Sequence, residues 1–205
     1  REIQRNAEFR QNINRFVYTC QQAIGASLDA LASGESNKAR KINGDLFERY
    51  IRLILKRIGL DVHDGVVSVP VMIDNEELFK MSYQHDLIVE KEGAVRAIGS
   101  VKTSSKDRLD KIFVDKFLYN RLTNTTTPHF AIFLNDVQRK GKEPHFGVNT
   151  TFLTGHFKGY TIKLNPLDGV YYCDLRPNML TDQILSEQIH SLDVLLTEDI
   201  WKFLE

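Results

Sequence analysis

Residues 85–115 read HDLIVEKEGAVRAIGSVKTSSKDRLDKIFVD. Asp86 stands near the start of a short apolar strand, a turn follows at Gly93, and Ser100-Val101-Lys102 ends the returning strand. Side chains alternate along a strand, so Ser100 and Lys102 project to one face. A carboxylate on one strand and an ammonium on its neighbour can together work on a phosphate ester. The carboxylate can hold a hard divalent cation, which takes oxygen ligands. The ammonium can face the phosphoryl oxygens and orient a water.

The pattern resembles the PD-(D/E)XK endonuclease superfamily, whose signature is an Asp followed, after a short hairpin, by (D/E)-x-Lys. Two positions depart from it: His85 stands where Pro is usual, and Ser100 where an acid is usual. A hydroxyl is a poor replacement for a carboxylate at a Mg2+ site. The restriction endonucleases that read CC/GG-containing sites include a subset with S-x-K on this strand. Their acid sits on the following helix, twelve or thirteen residues after the Lys. Asp115 follows Lys102 with twelve residues between. The subset also carries an R/K-(D/E)-R triplet shortly after the Lys, and Lys106-Asp107-Arg108 stands there. In addition, Gly44-Asp45-Leu46-Phe47-Glu48 is similar to the G-x-x-F-E opening helix of many of these nucleases.

This resemblance implies an α/β fold with a restriction-endonuclease-like core: helix, three strands, helix, strand, around a mixed central sheet with added N- and C-terminal helices. It implies a type II restriction endonuclease that cleaves double-stranded DNA with Mg2+ at a G·C-containing palindrome. Asp86 and Asp115 would hold the ion, Lys102 would contact the scissile phosphate, and Ser100 and Glu48 would complete the catalytic group. Lys106, Asp107 and Arg108 would enter the major groove, where Arg can bind guanine O6 and N7 and Asp can accept from cytosine N4. A palindromic site implies a two-fold homodimer or a tetramer built from dimers. A cognate DNA methyltransferase would be an indirect partner, and the setting the cytoplasm of a prokaryotic cell.

Each residue also has a plainer role open to it. Asp86 can cap a turn, Lys102 can end a strand in solvent, and Glu48 can be an exposed acid among arginines. Ser104, Ser105 and Asp107 read as an ordinary helix start, with Ser at the N-cap and an acid in the first turn. Spacing selects Asp115 on that helix, whereas the helical wheel selects Asp110. The apolar set Leu109, Ile112, Phe113 and Phe117 defines its buried side. We follow the spacing. His85 is read as structural.

Composition frames these choices. The chain has 205 residues, 42% hydrophobic and 26% charged, which fits one ordinary globular domain with a sizeable core. No apolar run nears the length of about 20 residues that spans a bilayer. Because the chain starts at Arg1 without Met, its natural N-terminus is expected to lie upstream. Cys20 and Cys173 lack metal-ligand spacing and any disulfide framework, as in a reducing compartment. A formal net charge of zero argues against indiscriminate coating of nucleic acid. Locally the balance differs. Residues 38–57 carry seven basic and two acidic side chains, a net of +5. Residues 102–121 carry six and three, a net of +3, and both segments flank the site as phosphate contact requires.

The remaining elements follow from periodicity. Residues 1–33 form an N-terminal helical segment with an amphipathic face that either packs or meets a second copy. Ser33 to Gly44 reads as a polar loop, and Asp45 to Leu60 as a helix stopped by Gly59. Val66 to Ile73 is a strand that Pro70 confines to an edge or a bulge. Pro128 to Leu134 is a core strand, and Asn135 to Glu143 a basic polar loop. The catalytic core thus spans 45–134. Residues 145–205 hold a hairpin, YTIKL and VYYCDL about the turn NPLDG, followed by C-terminal helices broken near Thr197.

Two other functions remain open. One is a nuclease of this fold that reads DNA structure, of the repair or junction type; the other is a non-catalytic DNA-binding module, for which Ser100 argues. The triplet separates them from a sequence reader. Arg108→Ala is expected to weaken binding at one base pair by about 1–3 kcal/mol and relax choice there. Unchanged site preference in a cleavage-site survey would refute the base-reading role.

Overall fold

In the computed structural model, which describes residues 7–31, 34–105, 108–142 and 145–205, two helices precede a sheet. They are α1 (Ala7–Leu28) and α2 (Ser36–Arg57). Gly59 (φ 101°) ends α2: its N–H donates to Lys56 O and that of Leu60 to Leu55 O, which satisfies two terminal carbonyls.

Two tight turns then build an antiparallel meander. Asp74 and Asn75 (φ 50° and 66°) join β1 (Asp61–Ile73) to β2 (Glu76–Lys91). Glu92 and Gly93 (φ 57° and 74°) join β2 to β3 (Ala94–Ser104). Paired positive φ values give the hairpin turn whose twist matches its strands. The other half of the sheet is parallel and therefore needs crossovers. Helix α3 (Leu109–Thr123) leads to β4 (His129–Asn135). After β4 come the hairpin β5 (Val137–Lys142) and β6 (His145–Thr150), helix α4 (Thr154–Lys163) and β7 (Gly169–Tyr172). Helices α5 (Pro177–Thr181) and α6 (Gln183–Gln188) return the chain to β8 (Ile189–Ser191). It ends through α7 (Leu192–Val194), a π-helical turn at Leu195–Asp199 and α8 (Ile200–Lys202). The strand order is β1-β2-β3-β4-β7-β8, antiparallel up to β3 and parallel beyond it. Helix, three strands, helix, strand is thus the order seen from α2 to β4. Among the described residues no helix is long and apolar enough to cross a membrane.

Every residue of β4 is buried, as a central parallel strand covered on both sides must be. Phe130, Ile132 and Leu134 join a core with Phe47, Ile51 and Leu55 of α2 and with Leu192, Leu195 and Ile200 near the C-terminus. Ala131 and Phe133 join a second core with Ile112 and Phe113 of α3 and Phe157 of α4. A third cluster, Val69, Tyr83, Ile98 and Tyr119, lies on the α3 side. Burial holds the His129 imidazole neutral, with its pKa lowered to about 4.

Several expectations are corrected here. The hairpin about NPLDG does not form: 160–163 closes α4, and only Gly169–Tyr172 is a strand, paired parallel to β4. The β-branched run Thr161-Ile162 looked like a strand, but buried Phe157 and packed Tyr160 set a helical period. A hairpin lies earlier instead, with β5 in the polar stretch 135–143 read as a loop and β6 just after it. Helix α2 begins at Ser36 rather than Asp45, because buried Ala39 and the bond from Gln21 Nε2 to Asn43 O (2.9 Å) dock its polar first turns. Helix α3 begins at Leu109 without a side-chain cap, while Ser105 is buried and shares a hydrogen bond with Thr151 (3.1 Å). Its Phe117 is 42% exposed, and buried Lys116 takes that place by bonding Asp168 Oδ2 (2.7 Å) and Pro166 O (2.6 Å). The C-terminal helices are interrupted by β8. Pro70 does lie on an edge strand, and the register shifts between Val71 and Met72.

Gly99 sits opposite Leu87 where β2 meets β3. A Cβ there would lie 2.5 Å from Phe130 Cζ and 3.0 Å from Leu87 Cδ1. Gly99→Ala is expected to destabilise the fold by about 1–3 kcal/mol through overpacking. Urea denaturation should show a lower midpoint at unchanged slope; an unchanged midpoint would refute this contact.

Candidate active site

A register shift in β2 creates the site. Going down the β1–β2 ladder, Ile88 pairs with His63 and His85 with Gly65. Asp86 and Leu87 therefore face the single residue Asp64, which is a β-bulge. The shift changes which way the strand faces. Tyr83 and His85 stack on the α3 side, with ring centroids 5.9 Å apart and Tyr119 edge-on to both. Two residues past His85, Leu87 joins the α2-side core. Asp86 lies in the bulge and meets α2.

There it is engaged by three groups. Its Oδ2 accepts from Val101 N at 2.8 Å and from Lys102 Nζ at 2.5 Å. Its backbone carbonyl accepts from Arg52 Nη1 at 3.2 Å. The β2–β3 ladder ends at Leu87 and Gly99, so the carboxylate takes the Val101 N–H where the strands part. Lys102 Nζ also donates to Glu48 Oε1 at 3.0 Å. Glu48, Asp86 and Lys102 thus form one cluster, with side chains 27%, 15% and 26% exposed.

The structure brings together Asp86, Lys102 and Glu48, which the sequence offered only as a secondary candidate. Ser100 lies between Gly99 and Val101 on the same strand, half-buried, with β4 Ala131 as its backbone neighbour. Asp115 is an ion-pair partner of Lys111 on α3. Its charge acts on Tyr83 and His85. It is half-buried whereas Asp110 is exposed, the reverse of what the wheel implied, because Lys116 rather than Phe117 faces inward. Arg108 is exposed at the head of α3. Lys106 and Asp107 lie outside the described residues. Sequence reading missed Arg52; its signal was the four-residue spacing from Glu48, which puts both on one helix face.

The electrostatics are unbalanced: one ammonium serves two carboxylates. Burial first, and the charge of Asp86 second, hold the Glu48 carboxyl above the usual carboxylate range, against the pull of Lys102. Two partly buried carboxylates with a cation already between them fit a divalent ion that binds through one or two carboxylates plus substrate oxygens. Among the described residues no group of three or more His, Cys, Asp or Glu is placed to hold a metal.

A raised pKa means the folded state disfavours the ionised form. Glu48→Gln is therefore expected to raise the thermal midpoint in metal-free buffer at neutral pH. The gain should be largest above the raised pKa of Glu48 and shrink as pH falls through it, since wild-type Glu48 then becomes neutral too. A midpoint equal to or below wild type at neutral pH would contradict this.

No protein-family model and no curated relative matches the sequence. Solved structures do. Over 97% of its length the chain is similar to the type IIP restriction endonuclease Kpn2I, at TM-score 0.72 and 17% identity. The chain spans 65% of the Kpn2I chain. It is also similar over 96% of its length to restriction endonuclease PspGI, solved with its substrate DNA, at TM-score 0.55 and 15% identity, covering 73% of that chain. With the α2–β3 frame and its mixed six-stranded sheet, these likenesses give the chain the fold of a type II restriction endonuclease.

Proposed function

We propose that the chain is a type II restriction endonuclease, which hydrolyses phosphodiester bonds of double-stranded DNA with Mg2+ at a G·C-containing palindrome. One observation carries this reading: Lys102 Nζ lies within 3.0 Å of both Asp86 and Glu48 where β2 and β3 part. The likeness to Kpn2I and PspGI supports it.

Asp86 and Glu48 would hold the ion, which when bound supplies charge neutralisation at the phosphoryl oxygens and acidifies the attacking water. The Val101 N–H fixes the Asp86 carboxylate through Oδ2, and its other oxygen would face the substrate. Lys102 would turn from its carboxylates to a phosphate oxygen as DNA enters and orient the water. Ser100 would add a hydroxyl to this group. Asp115 keeps the role of displaced acid as the competing assignment. It would have to leave Lys111 to reach the ion, whereas Glu48 is already in contact with Lys102. Arg108, with Lys106 and Asp107, would read adjacent G·C pairs. A homodimer or dimer-built tetramer, a cognate methyltransferase and a prokaryotic cytoplasm belong to the same reading.

The test is digestion of a fully sequenced phage DNA with Mg2+, with Ca2+ and Lys102→Ala as controls. Discrete fragments sharing a G·C-rich palindrome are expected, with a loss of at least about 10²-fold in Lys102→Ala. A smear would favour a structure-reading nuclease, and retained binding without cutting would favour the DNA-binding module. Glu48→Gln and Asp115→Asn should then differ. If Glu48 supplies the second carboxylate, its variant needs more Mg2+ for half-maximal rate and the Asp115 variant does not.

A further inference from the structure

We infer that Arg52 is a positioning residue for Asp86: its guanidinium fastens the bulge and so aims the carboxylate at Val101 and Lys102. This rests on the nuclease reading above for its consequence in catalysis, but not for its geometry.

A bulge opposes two residues to one, and the extra residue is left without its ladder partner. Here the pair is Asp86 and Leu87 against Asp64. Arg52 Nη1 takes over at that point, donating to Asp86 O at 3.2 Å and lying 3.1 Å from Asp64 Oδ1. One side chain thus joins both strands across the irregularity. Its side chain is 18% exposed and that of Asp64 61%, so the guanidinium is sheltered while its acidic partner reaches solvent. An unpaired carbonyl so sheltered is costly, and without Arg52 the bulge would relax toward another partner. Arg52 stands four residues after Glu48 on α2. The two therefore share a helix face. Glu48 touches the ammonium and Arg52 the backbone, so α2 sets the distance between the acid of β2 and the lysine of β3. Both contacts come from the one nitrogen Nη1, which the planar guanidinium holds in a fixed direction as a freely rotating ammonium is not held.

The experiment compares Arg52→Ala, Arg52→Lys and Asp64→Ala with wild type by two readouts. The first needs no substrate: amide hydrogen exchange at Val101, whose N–H donates to Asp86 Oδ2. Exchange should quicken in Arg52→Ala, recover partly in Arg52→Lys, and stay near wild type in Asp64→Ala, where the bond to the Asp86 carbonyl survives. The second is cleavage kinetics, where kcat should fall about 10–100-fold in Arg52→Ala with KM unchanged, as for residues that orient catalytic ligands. Unchanged Val101 exchange in Arg52→Ala would overturn the inference, as would an equal loss in Asp64→Ala. If Arg52→Ala does not fold, the gradation between Arg52→Lys and Asp64→Ala decides in the same way. If exchange responds but wild type cuts no DNA, Arg52 keeps its positioning role and the nuclease reading fails.

Discussion

One surplus residue in β2 decides how the rest of the molecule fits together. Upstream of it, Tyr83 and His85 face α3; downstream, Leu87 and Val89 face α2. A strand with regular alternation would send one of these sets into the wrong layer, because a slip of one residue exchanges the two faces. Both cores therefore pin the bulge from opposite sides, and Asp86 cannot drift without unpacking one of them. The rigidity of the acid comes from the apolar residues around it.

At this fixed point the fold tolerates an electrostatic mismatch. Two carboxylates converge on one ammonium, in a place where burial already disfavours charge. Structural ion pairs are usually matched, since an uncompensated buried charge is strongly destabilising. A region that departs from that rule while its surroundings are well packed is characteristic of sites kept for function. The surplus negative charge has a direction as well, since it faces the gap where β2 and β3 separate.

What the sequence disclosed and what it hid divide along a physical line. Asp86, the Gly93 turn and Lys102 were legible because a hairpin is local: alternation and turn chemistry fix it within twenty residues. Strand β4 was legible because a fully buried parallel strand is apolar throughout. Pro70 announced an edge because it lacks a donor. The start of α2 at Ser36 was hidden, since Ser36 to Gly44 is polar and becomes helical only by docking on α1 through Asn43. Residues 160–163 were misread for a similar reason: β-branched residues in a short run fit either period until Phe157 finds its core. The bulge left no mark in the sequence. It is a disagreement between two strands, and it exists only once both are paired. Arg52, whose contact is with the bulge itself, was accordingly missed, and Glu48 was offered only through the resemblance of its helix to those of other nucleases.

The two margins of the sheet are unlike. Among the described residues β1 is long and unpaired along one side, the kind of edge that invites another chain to add to it. Pro70 removes one donor from the strand, while the surplus residues of both irregularities, at 86–87 and at Leu78, lie in its partner β2. At the opposite margin β8 is three residues long. An incoming strand would find few amides to match at the β8 margin and a missing donor at Pro70 on the other. The bulge that turns Asp86 toward α2 is thus taken up by β2 alone, and the acid site is shaped without interrupting the margin of the sheet.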